Sequence, residues 1–198
     1  MDKDPKMGAT IQVDILEWQF WDDLRPGEYE VVFAAPPCTE YSQALTSRPR
    51  RMDEADEVIK RTLQVIMYLR PALWFLENPA TGRLKSRGLL DNFASVTLDY
   101  CRFAPWGYRK PTQVWATVQH CTNQRCDPQC CPNMTLQEVM GRPKWRHRVK
   151  LEGGIVPLRE KYRIPPHLVE YVMGWGGPPS VHDLEVEVER YLETEPVQ

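Results

Sequence analysis

Two short apolar segments separated by a helical pattern constrain the fold of this chain more than any other feature. Glu30 to Ala35 reads EVVFAA and runs into Pro36-Pro37, and Ala72 to Leu76 reads ALWFL and runs into Glu77-Asn78-Pro79. Between them, Asp53 to Leu69 has apolar residues at helical spacing and acids in its first turn. Strand, helix and strand at this spacing predict an α/β protein with a parallel sheet.

The rest of the chain divides into segments of different character. Further strands are predicted at Val96 to Tyr100 and Gln113 to Val118, and a short helix at His167 to Met173. Gln119 to Lys150 is rich in Cys, Pro, Asn and Arg, which predicts an inserted loop or small subdomain. Asp183 to Glu189 alternates acidic and apolar residues, which fits either a strand or a frayed helix. We therefore expect a core at 1–118, a Cys-rich basic insert at 119–150, a final core segment at 151–180 and an acidic tail at 181–198.

Length and composition indicate a globular domain without a membrane span. The 198 residues suffice for one domain with a substantial core. The chain has no apolar run of membrane-spanning length, and Met1 to Thr10 lacks the apolar core of a signal peptide. A cytoplasmic location is expected, or a nuclear or virus-associated one in a eukaryotic or viral setting.

The net charge of −2 does not indicate a nucleic-acid binder, and the distribution of charge along the chain is more informative than its sum. Phosphate binding depends on local positive potential rather than on the sum over the chain. One cluster lies between Val139 and Leu151, which contains five basic residues and no acidic one. The second cluster is Arg48, Arg50 and Arg51. Either cluster alone is also explained as a solvated surface.

Cys38 and Glu77 follow the two predicted strands directly. In a parallel sheet the carboxyl ends of the strands meet at one edge, where ligands bind. A Cys and a Glu at that edge provide a nucleophile and a proton donor. Each residue also has a structural explanation, because a lone Cys is often a packed small side chain and a Glu after a strand is often a helix cap.

The motifs around these two residues resemble those of the cytosine-C5 DNA methyltransferases. Ala34 to Ser42 reads AAPPCTEYS and resembles the family's nucleophile motif, whose usual form is PPCQ followed by an aromatic residue and Ser. Glu77-Asn78 resembles its ENV motif, with Pro79 in place of Val. The resemblance implies that Cys38 attacks carbon 6 of a flipped-out cytosine, that Glu77 protonates ring nitrogen 3 and that Asn78 is a positioning group.

Further segments extend the resemblance over most of residues 2–175. Gln12 to Ile15 resembles the segment whose Asp14 contacts the adenine of S-adenosylmethionine, and Asp2 and Asp4 resemble the acids that bind its ribose. Pro37 is assigned to the cofactor as well. Because the insert is so short, compact viral and phage members of the family match best.

The resemblance also implies double-stranded DNA as the partner. Tyr108 to Trp115 resembles the motif before the target-recognition region, with Gln113 at the position that is usually Arg, and Tyr162 to Val169 resembles the final motif. A mobile loop over the DNA is implied at Thr46 to Arg51. The predicted DNA contacts are Ser42, Arg48, Arg50, Arg51, Arg109, Lys110, Gln113, Arg142, Lys144, Arg146 and Arg148.

The chain departs from the family pattern at its start. The family opens with a strand and a Gly-rich loop for the methionine part of the cofactor, and this sequence starts after them; Gly174 to Gly177 is a weak substitute. We therefore expect a Rossmann-like methyltransferase sheet without its first strand, and weak cofactor binding unless a second polypeptide supplies it. Two alternatives stay open: a catalytically incomplete remnant or subunit that binds DNA, and an RNA cytosine-C5 methyltransferase.

Four cysteines crowd within the insert. They are Cys121, Cys126, Cys130 and Cys131, with His147 downstream, while Cys101 stands apart. Zinc prefers four Cys or His ligands in a closed tetrahedral site, and a small loop-rich insert needs such a cross-link. The spacing contains no clean CxxC pair, so a structural zinc ion and free thiols both remain open.

Overall fold

The computed structural model describes residues 1–116, 121–151, 156–175 and 180–194. Short 3-10 helices lie at Pro5–Met7, Leu84–Ser86 and Tyr100–Arg102. The strands are β1 (Val31–Ala34), β2 (Leu73–Pro79), β3 (Ala94–Asp99), β4 (Pro111–Ala116), β5 (Met134–Val139) and β6 (Arg142–His147). The α-helices are α1 (Phe20–Asp23), α2 (Met52–Leu69), α3 (Leu158–Tyr162), α4 (Pro166–Val172) and α5 (Val181–Thr194).

The predicted strand–helix–strand segment is confirmed as β1, α2 and β2. The two strands pair in parallel, with Val31 opposite Leu73 and Ala34 opposite Leu76. The helix α2 ends at Leu69, and its C-cap residue Arg70 takes a left-handed conformation (φ 51°) before Pro71. A proline disfavours helical geometry in the residue before it, so the sequence Arg-Pro stops the helix here. The mixed α/β class expected from the sequence is therefore shown.

Helix α2 contributes to two apolar clusters. Ile59 and Ile66 pack in a cluster that also contains Tyr41, Trp74 and Leu76. Its Val65 and Leu69 pack in a second cluster, with Trp18, Phe20 and Leu24 from the N-terminal segment. These clusters fix the helix against β1 and β2, and so fix where both strands end.

Four strands form one sheet with the order β1-β2-β4-β3, and β5 and β6 form a separate two-stranded sheet. By contact density the chain divides into two compact units. Unit 1 holds Met1–Ser95 and residues 114–116, and unit 2 holds Val96–Gln113 and the described residues from 121 onward. The predicted strand at Gln113 to Val118 corresponds to β4, and residues 117 and 118 lie outside the described part of the chain.

Residues 119–150 were predicted to be an inserted loop or small subdomain, and most of their second half is a β-hairpin. Strands β5 and β6 pair antiparallel, with Val139 opposite Arg142 and Met134 opposite His147. Met140 and Gly141 form the connection, and both have positive φ (52° and 71°). Two-residue connections with positive φ at both positions match the twist of hairpin strands. Sequence periodicity missed the hairpin because only part of it alternates apolar and polar residues.

Two further expectations concern the C-terminal part. The predicted short helix is confirmed as α4, which begins at Pro166, and proline suits the first turn of a helix. The ambiguous acidic segment is the helix α5, with Leu184 and Val188 buried four residues apart. Gly176 and Gly177 of the weak Gly-rich candidate lie outside the described residues. No helix among the described residues has the length and apolar character needed to cross a bilayer.

Candidate active site

Cys38 lies in a turn just beyond the end of β1. The strand ends at Ala34, and after Pro36-Pro37 the chain turns back, with the Tyr41 amide donating to the Cys38 carbonyl oxygen at 3.1 Å. Cys38 is half-buried, so part of the residue is accessible to solvent.

Glu77 and Asn78 are the next residues along the neighbouring strand. The sequence placed them in a loop after the strand, but β2 continues through both of them to Pro79. Glu77 is 4% exposed and Asn78 is fully buried. Asn78 donates from Nδ2 to the Pro36 carbonyl oxygen at 3.1 Å. This hydrogen bond joins the end of β2 to the Pro36-Pro37-Cys38 loop.

A buried polar network holds the other side of the Cys38 turn. Tyr41 is completely buried, and its hydroxyl donates to Asp56 Oδ1 at 2.9 Å. Asp56 lies on α2 and also accepts from Arg87 Nε at 2.9 Å. Burial raises the pKa of Tyr41, and its hydrogen bond to Asp56 adds to that rise. Burial opposes ionisation of Asp56, but hydrogen bonds from Arg87 and Tyr41 outweigh it and lower the pKa of that carboxyl.

The sequence analysis did not identify Asp56 or Arg87. A signal was available for Asp56, because an acid three residues before Ile59 lies on the apolar face of α2. Gly82 lies in the segment after β2, and a Cβ there would lie 3.0 Å from the Pro79 carbonyl oxygen and 3.6 Å from that of Tyr41. The Arg83 amide then donates to the Tyr41 carbonyl oxygen at 3.0 Å.

The predicted DNA-binding residues of unit 1 lie around the segment from Ser42 to Arg51. Arg48 forms an ion pair with Glu40, and the Arg51 amide donates to the same carboxylate at 2.8 Å. The Arg48 hydrogen bond, helped by that amide, lowers the pKa of Glu40 to about 2. Arg50 donates to the Ser42 carbonyl oxygen at 2.7 Å. The segment is therefore tied internally. Its most exposed cation is the Arg51 guanidinium, at 61%, which forms an ion pair with Glu54 at 3.1 Å.

The N-terminal acids predicted to meet a cofactor lie on adjacent segments. Asp2 and Gln12 form an isolated parallel bridge, which brings the two segments side by side. Asp14 accepts from the Leu16 amide at 3.1 Å and from Lys3 Nζ at 3.0 Å. These two contacts lower the pKa of Asp14. Asp4 is exposed and accepts from the Lys6 amide at 2.9 Å, while Pro37 is exposed beside Cys38.

In unit 2, the predicted residues before and along β4 have internal partners. Arg109 pairs with the buried Asp99 at 3.1 Å. Lys110 donates to the Tyr100 hydroxyl at 3.2 Å and to the Lys161 carbonyl oxygen at 3.1 Å. Gln113 is half-buried on β4.

The hairpin presents the remaining predicted cations. Arg142, Lys144 and Arg146 alternate along β6 and are all exposed. Their partners on β5 are Val139, Gln137 and Thr135, so this side of the hairpin carries three cations and no acid; we call it the basic face. Arg148 lies beyond the strand and instead donates to Pro132 O and Asn133 Oδ1, both at 3.1 Å.

The cysteines of unit 2 do not group as the spacing suggested. Cys101, Cys126, Cys131 and His147 have their ligand atoms within 4.8 Å of one another. Cys101 joins this group from outside the insert, while Cys121 and Cys130 are not part of it. The hydrogen bond with Cys126, followed by Cys131 and burial, raises the pKa of Cys101, and hydrogen bonds from Cys101 and Cys126 lower the pKa of Cys131.

Comparison with known proteins identifies the family. No model of a known protein family matches the chain. Over 179 residues the chain is 32% identical to the probable DNA (cytosine-5)-methyltransferase of Frog virus 3 (isolate Goorha), a match that covers 81% of this chain and 82% of the relative.

The chain belongs to the DNA (cytosine-5)-methyltransferase family. The resemblance seen in the Cys38 and Glu77 motifs is thus confirmed over most of the chain, and with it the enzyme class. The relative is a viral protein, and DNA cytosine is the substrate that its name gives.

Proposed function

We propose that this methyltransferase transfers a methyl group to carbon 5 of a flipped-out cytosine in double-stranded DNA, through a covalent bond to Cys38. One observation carries the proposal. Asn78 on β2 donates to Pro36 two residues before Cys38, so a nucleophile and the buried Glu77 belong to adjacent strand ends of one parallel pair. The carboxyl edge of parallel strands is where α/β enzymes bind their ligands.

Each of the three residues has a distinct task. The Cys38 thiolate adds to carbon 6 of cytosine, and the electron pair of the double bond between carbons 5 and 6 shifts through carbon 4 toward ring nitrogen 3. Glu77 donates a proton to ring nitrogen 3, which neutralises the charge that develops there. Carbon 5 becomes nucleophilic as a result and takes the methyl group, with the thioether S-adenosylhomocysteine as the leaving group. Carbon 5 then loses its proton while the bond between carbon 6 and the Cys38 sulfur breaks, which restores the ring double bond. Asn78 contacts the loop rather than the base, and it positions Cys38 through Pro36.

S-adenosylmethionine, when bound, supplies the electrophilic methyl group. The acids of the N-terminal segments fit its adenosine part, because carboxylates accept hydrogen bonds from ribose hydroxyls and from the adenine amino group. Asp2 and Asp4 would hold the ribose and Asp14 the adenine, with Pro37 against the cofactor. Asp2 and Asp14 belong to segments that the bridge at Asp2 and Gln12 joins. Neither the relative, matched over 82% of its length, nor the described residues support a second polypeptide.

DNA binding rests on exposed cations. The basic face of the hairpin and the exposed guanidinium of Arg51 contact phosphates, which position the duplex without reading its sequence. The other predicted DNA-binding residues have internal partners or are partly buried, and they assist by shaping the surface. They are Ser42, Arg48, Arg50, Arg109, Lys110, Gln113 and Arg148. The overall architecture is a Rossmann-like methyltransferase sheet with β1 and β2 in the catalytic half.

Trapping the covalent adduct tests the proposal. The full chain, with S-adenosylmethionine and duplex DNA containing 5-fluorocytosine, should form an adduct that survives denaturing electrophoresis, because fluorine at carbon 5 blocks release. Cys38→Ser should abolish the adduct. Cys130→Ser, at an exposed cysteine in unit 2, is the matched control and should retain it. An adduct that persists in Cys38→Ser contradicts the assignment of the nucleophile.

Two further arms separate the alternatives. If the unmutated chain forms no adduct and calorimetry detects no S-adenosylmethionine binding, the chain is a DNA-binding remnant or subunit rather than a complete enzyme. If structured RNA carrying 5-fluorocytosine is trapped faster than duplex DNA, the substrate is RNA.

A further inference from the structure

Three thiols and one imidazole converge in unit 2 from three separate segments of the chain. The sulfur atoms of Cys101, Cys126 and Cys131 and a ring nitrogen of His147 all lie within 4.8 Å of one another. His147 Nε2 lies 3.5 Å from the Cys126 sulfur and 3.7 Å from the Cys131 sulfur. Cys101 and Cys131 are buried, while Cys126 and His147 are half-buried.

These spacings match a tetrahedral zinc site. With Zn–S bonds of about 2.3 Å and Zn–N bonds of about 2.0 Å, tetrahedral geometry puts sulfur and nitrogen ligands roughly 3.5 Å apart. The two measured S···N distances, 3.5 and 3.7 Å, agree with that value. Three sulfurs and one nitrogen also form a ligand set that zinc prefers.

We infer that Cys101, Cys126, Cys131 and His147 form a structural zinc site. Four protein ligands fill the tetrahedral shell, and no position is left for a water or a substrate, so the role is structural rather than catalytic. This ligand set replaces the one expected from spacing, in which Cys121 and Cys130 took part. Cys130 is exposed on the surface, and Cys121 is not within the group.

The backbone around the ligands is held by buried polar side chains. Asp99, fully buried, accepts from the Cys126 amide at 2.7 Å. Asn133, also fully buried, donates to the Cys101 and Ala104 carbonyl oxygens, each at 3.0 Å. Hydrogen bonds of this kind orient metal ligands before the ion arrives.

Nearby cations offset the charge that the site would carry. Three thiolates with one Zn²⁺ leave a net charge of about −1. Asp99 adds another negative charge beside Cys126, and Arg109 and Arg125 both reach it at 3.1 Å. Arg148 directly follows His147 in the sequence and donates to Asn133 Oδ1 at 3.1 Å. The surroundings therefore favour a compact anionic metal complex.

A disulfide explains the cluster less well. One disulfide would join two of the three sulfurs, and it would not explain why the third thiol and His147 lie beside them. No disulfide joins any of the described cysteines, and the ring nitrogen contacts two different sulfurs. A metal ion uses all four groups at once.

The site connects three parts of unit 2. Cys101 follows β3, Cys126 and Cys131 belong to the loop before β5, and His147 is the last residue of β6. Strand β6 is mostly exposed, so apolar packing alone holds it weakly. The zinc ion would anchor the end of the strand that carries the basic face.

Metal analysis of variants tests the site. The full chain purified without chelators should contain about one zinc per molecule, and Cys101→Ser should lose it. Cys121→Ser and Cys130→Ser are matched controls and should keep it. Retention of zinc in Cys101→Ser, with loss in Cys121→Ser or Cys130→Ser, would overturn this ligand set in favour of the one based on spacing. Absence of metal from the unmutated chain would overturn the site altogether.

Cobalt spectroscopy keeps the test decisive if Cys101→Ser does not fold. After zinc is exchanged for Co²⁺, the unmutated chain should show the intense visible bands of tetrahedral cobalt with thiolate charge transfer. His147→Cys should still bind Co²⁺ with shifted bands, because it converts a nitrogen ligand to sulfur. Weak octahedral bands from the unmutated chain would refute the site.

Discussion

At the scale of single residues, Asn78 joins the end of β2, which carries Glu77, to the loop that carries Cys38. Its amide bonds to the loop that carries Cys38, at 3.1 Å, and it is fully buried. Loss of a buried hydrogen bond destabilises a protein mainly because it leaves a buried polar group unsatisfied, at a cost of about 1–3 kcal/mol for each group. Tyr41 acts in the same way on the opposite side of the turn, through Asp56.

Asn78→Ala should therefore slow catalysis because it displaces Cys38, and not because it weakens DNA binding. We expect the rate of adduct formation on 5-fluorocytosine DNA to fall on the order of 10²-fold, because displacing a reacting group by about 1 Å costs that much. DNA affinity should stay unchanged, since Asn78 is buried below the surface. Quench-flow kinetics and a binding titration measure the two quantities.

Asn92→Ala is the matched control, because Asn92 is an exposed asparagine of unit 1. Its adduct rate should equal that of the unmutated chain. An unaltered rate in folded Asn78→Ala, checked by thermal unfolding, would show that the bond to Pro36 does not position Cys38.

At the scale of elements, the hairpin β5–β6 is held in register by its turn. Met140 is 98% exposed and has φ 52°, a conformation that residues with a Cβ adopt at a cost of roughly 1–2 kcal/mol. Gly141 adopts its own positive φ without that cost. The hairpin therefore contains a strained residue whose side chain makes little contact.

Met140→Asn should stabilise the hairpin. Asn-Gly is the preferred pair for a turn with two positive φ values, and we expect a gain of about 0.5–1 kcal/mol against local opening. Hydrogen exchange of the β5 and β6 amides measures that free energy. Met140→Val should have the opposite effect, because a β-branched side chain resists positive φ. Faster exchange in Met140→Asn would contradict this reading of the turn.

At the scale of the whole molecule, basic and acidic side chains are concentrated on different elements. The net charge is −2, yet the basic face has three cations and no acid, while the acids of α5 lie on a different element. A duplex responds to the local potential, so a chain of negative net charge can still bind DNA through one surface.

Replacing Arg142, Lys144 and Arg146 together by Gln should weaken duplex binding and flatten its salt dependence. If all three meet phosphates, the slope of log K against log salt should decrease in magnitude by roughly 2.7, at about 0.9 per contact. Fluorescence anisotropy over a series of salt concentrations measures the slope.

A variant with Lys6, Lys60 and Lys85 replaced by Gln removes the same charge from exposed positions outside the hairpin. Its slope should stay close to that of the unmutated chain. An equal loss in both variants would mean that DNA responds to the total charge and not to the basic face.

The sequence by itself determined the parts of the molecule whose causes are local. The apolar runs of β1 and β2, the helical spacing of α2 and the Arg70-Pro71 stop fixed the strand–helix–strand segment. Parallel pairing then required Cys38 and Glu77 to lie at the same edge. Their motifs also indicated the family, because chemistry at that edge depends on a few adjacent residues.

Only the tertiary structure decided which distant side chains meet. Cys101 joins Cys126, Cys131 and His147, and Asp56 joins Tyr41 and Arg87, across gaps in the chain that no local pattern spans. The hairpin also escaped prediction, because its strand β6 is exposed and carries little of the apolar alternation by which strands are recognised. Contacts of this kind depend on how whole elements pack, and packing is a property of the folded chain rather than of any short stretch of it.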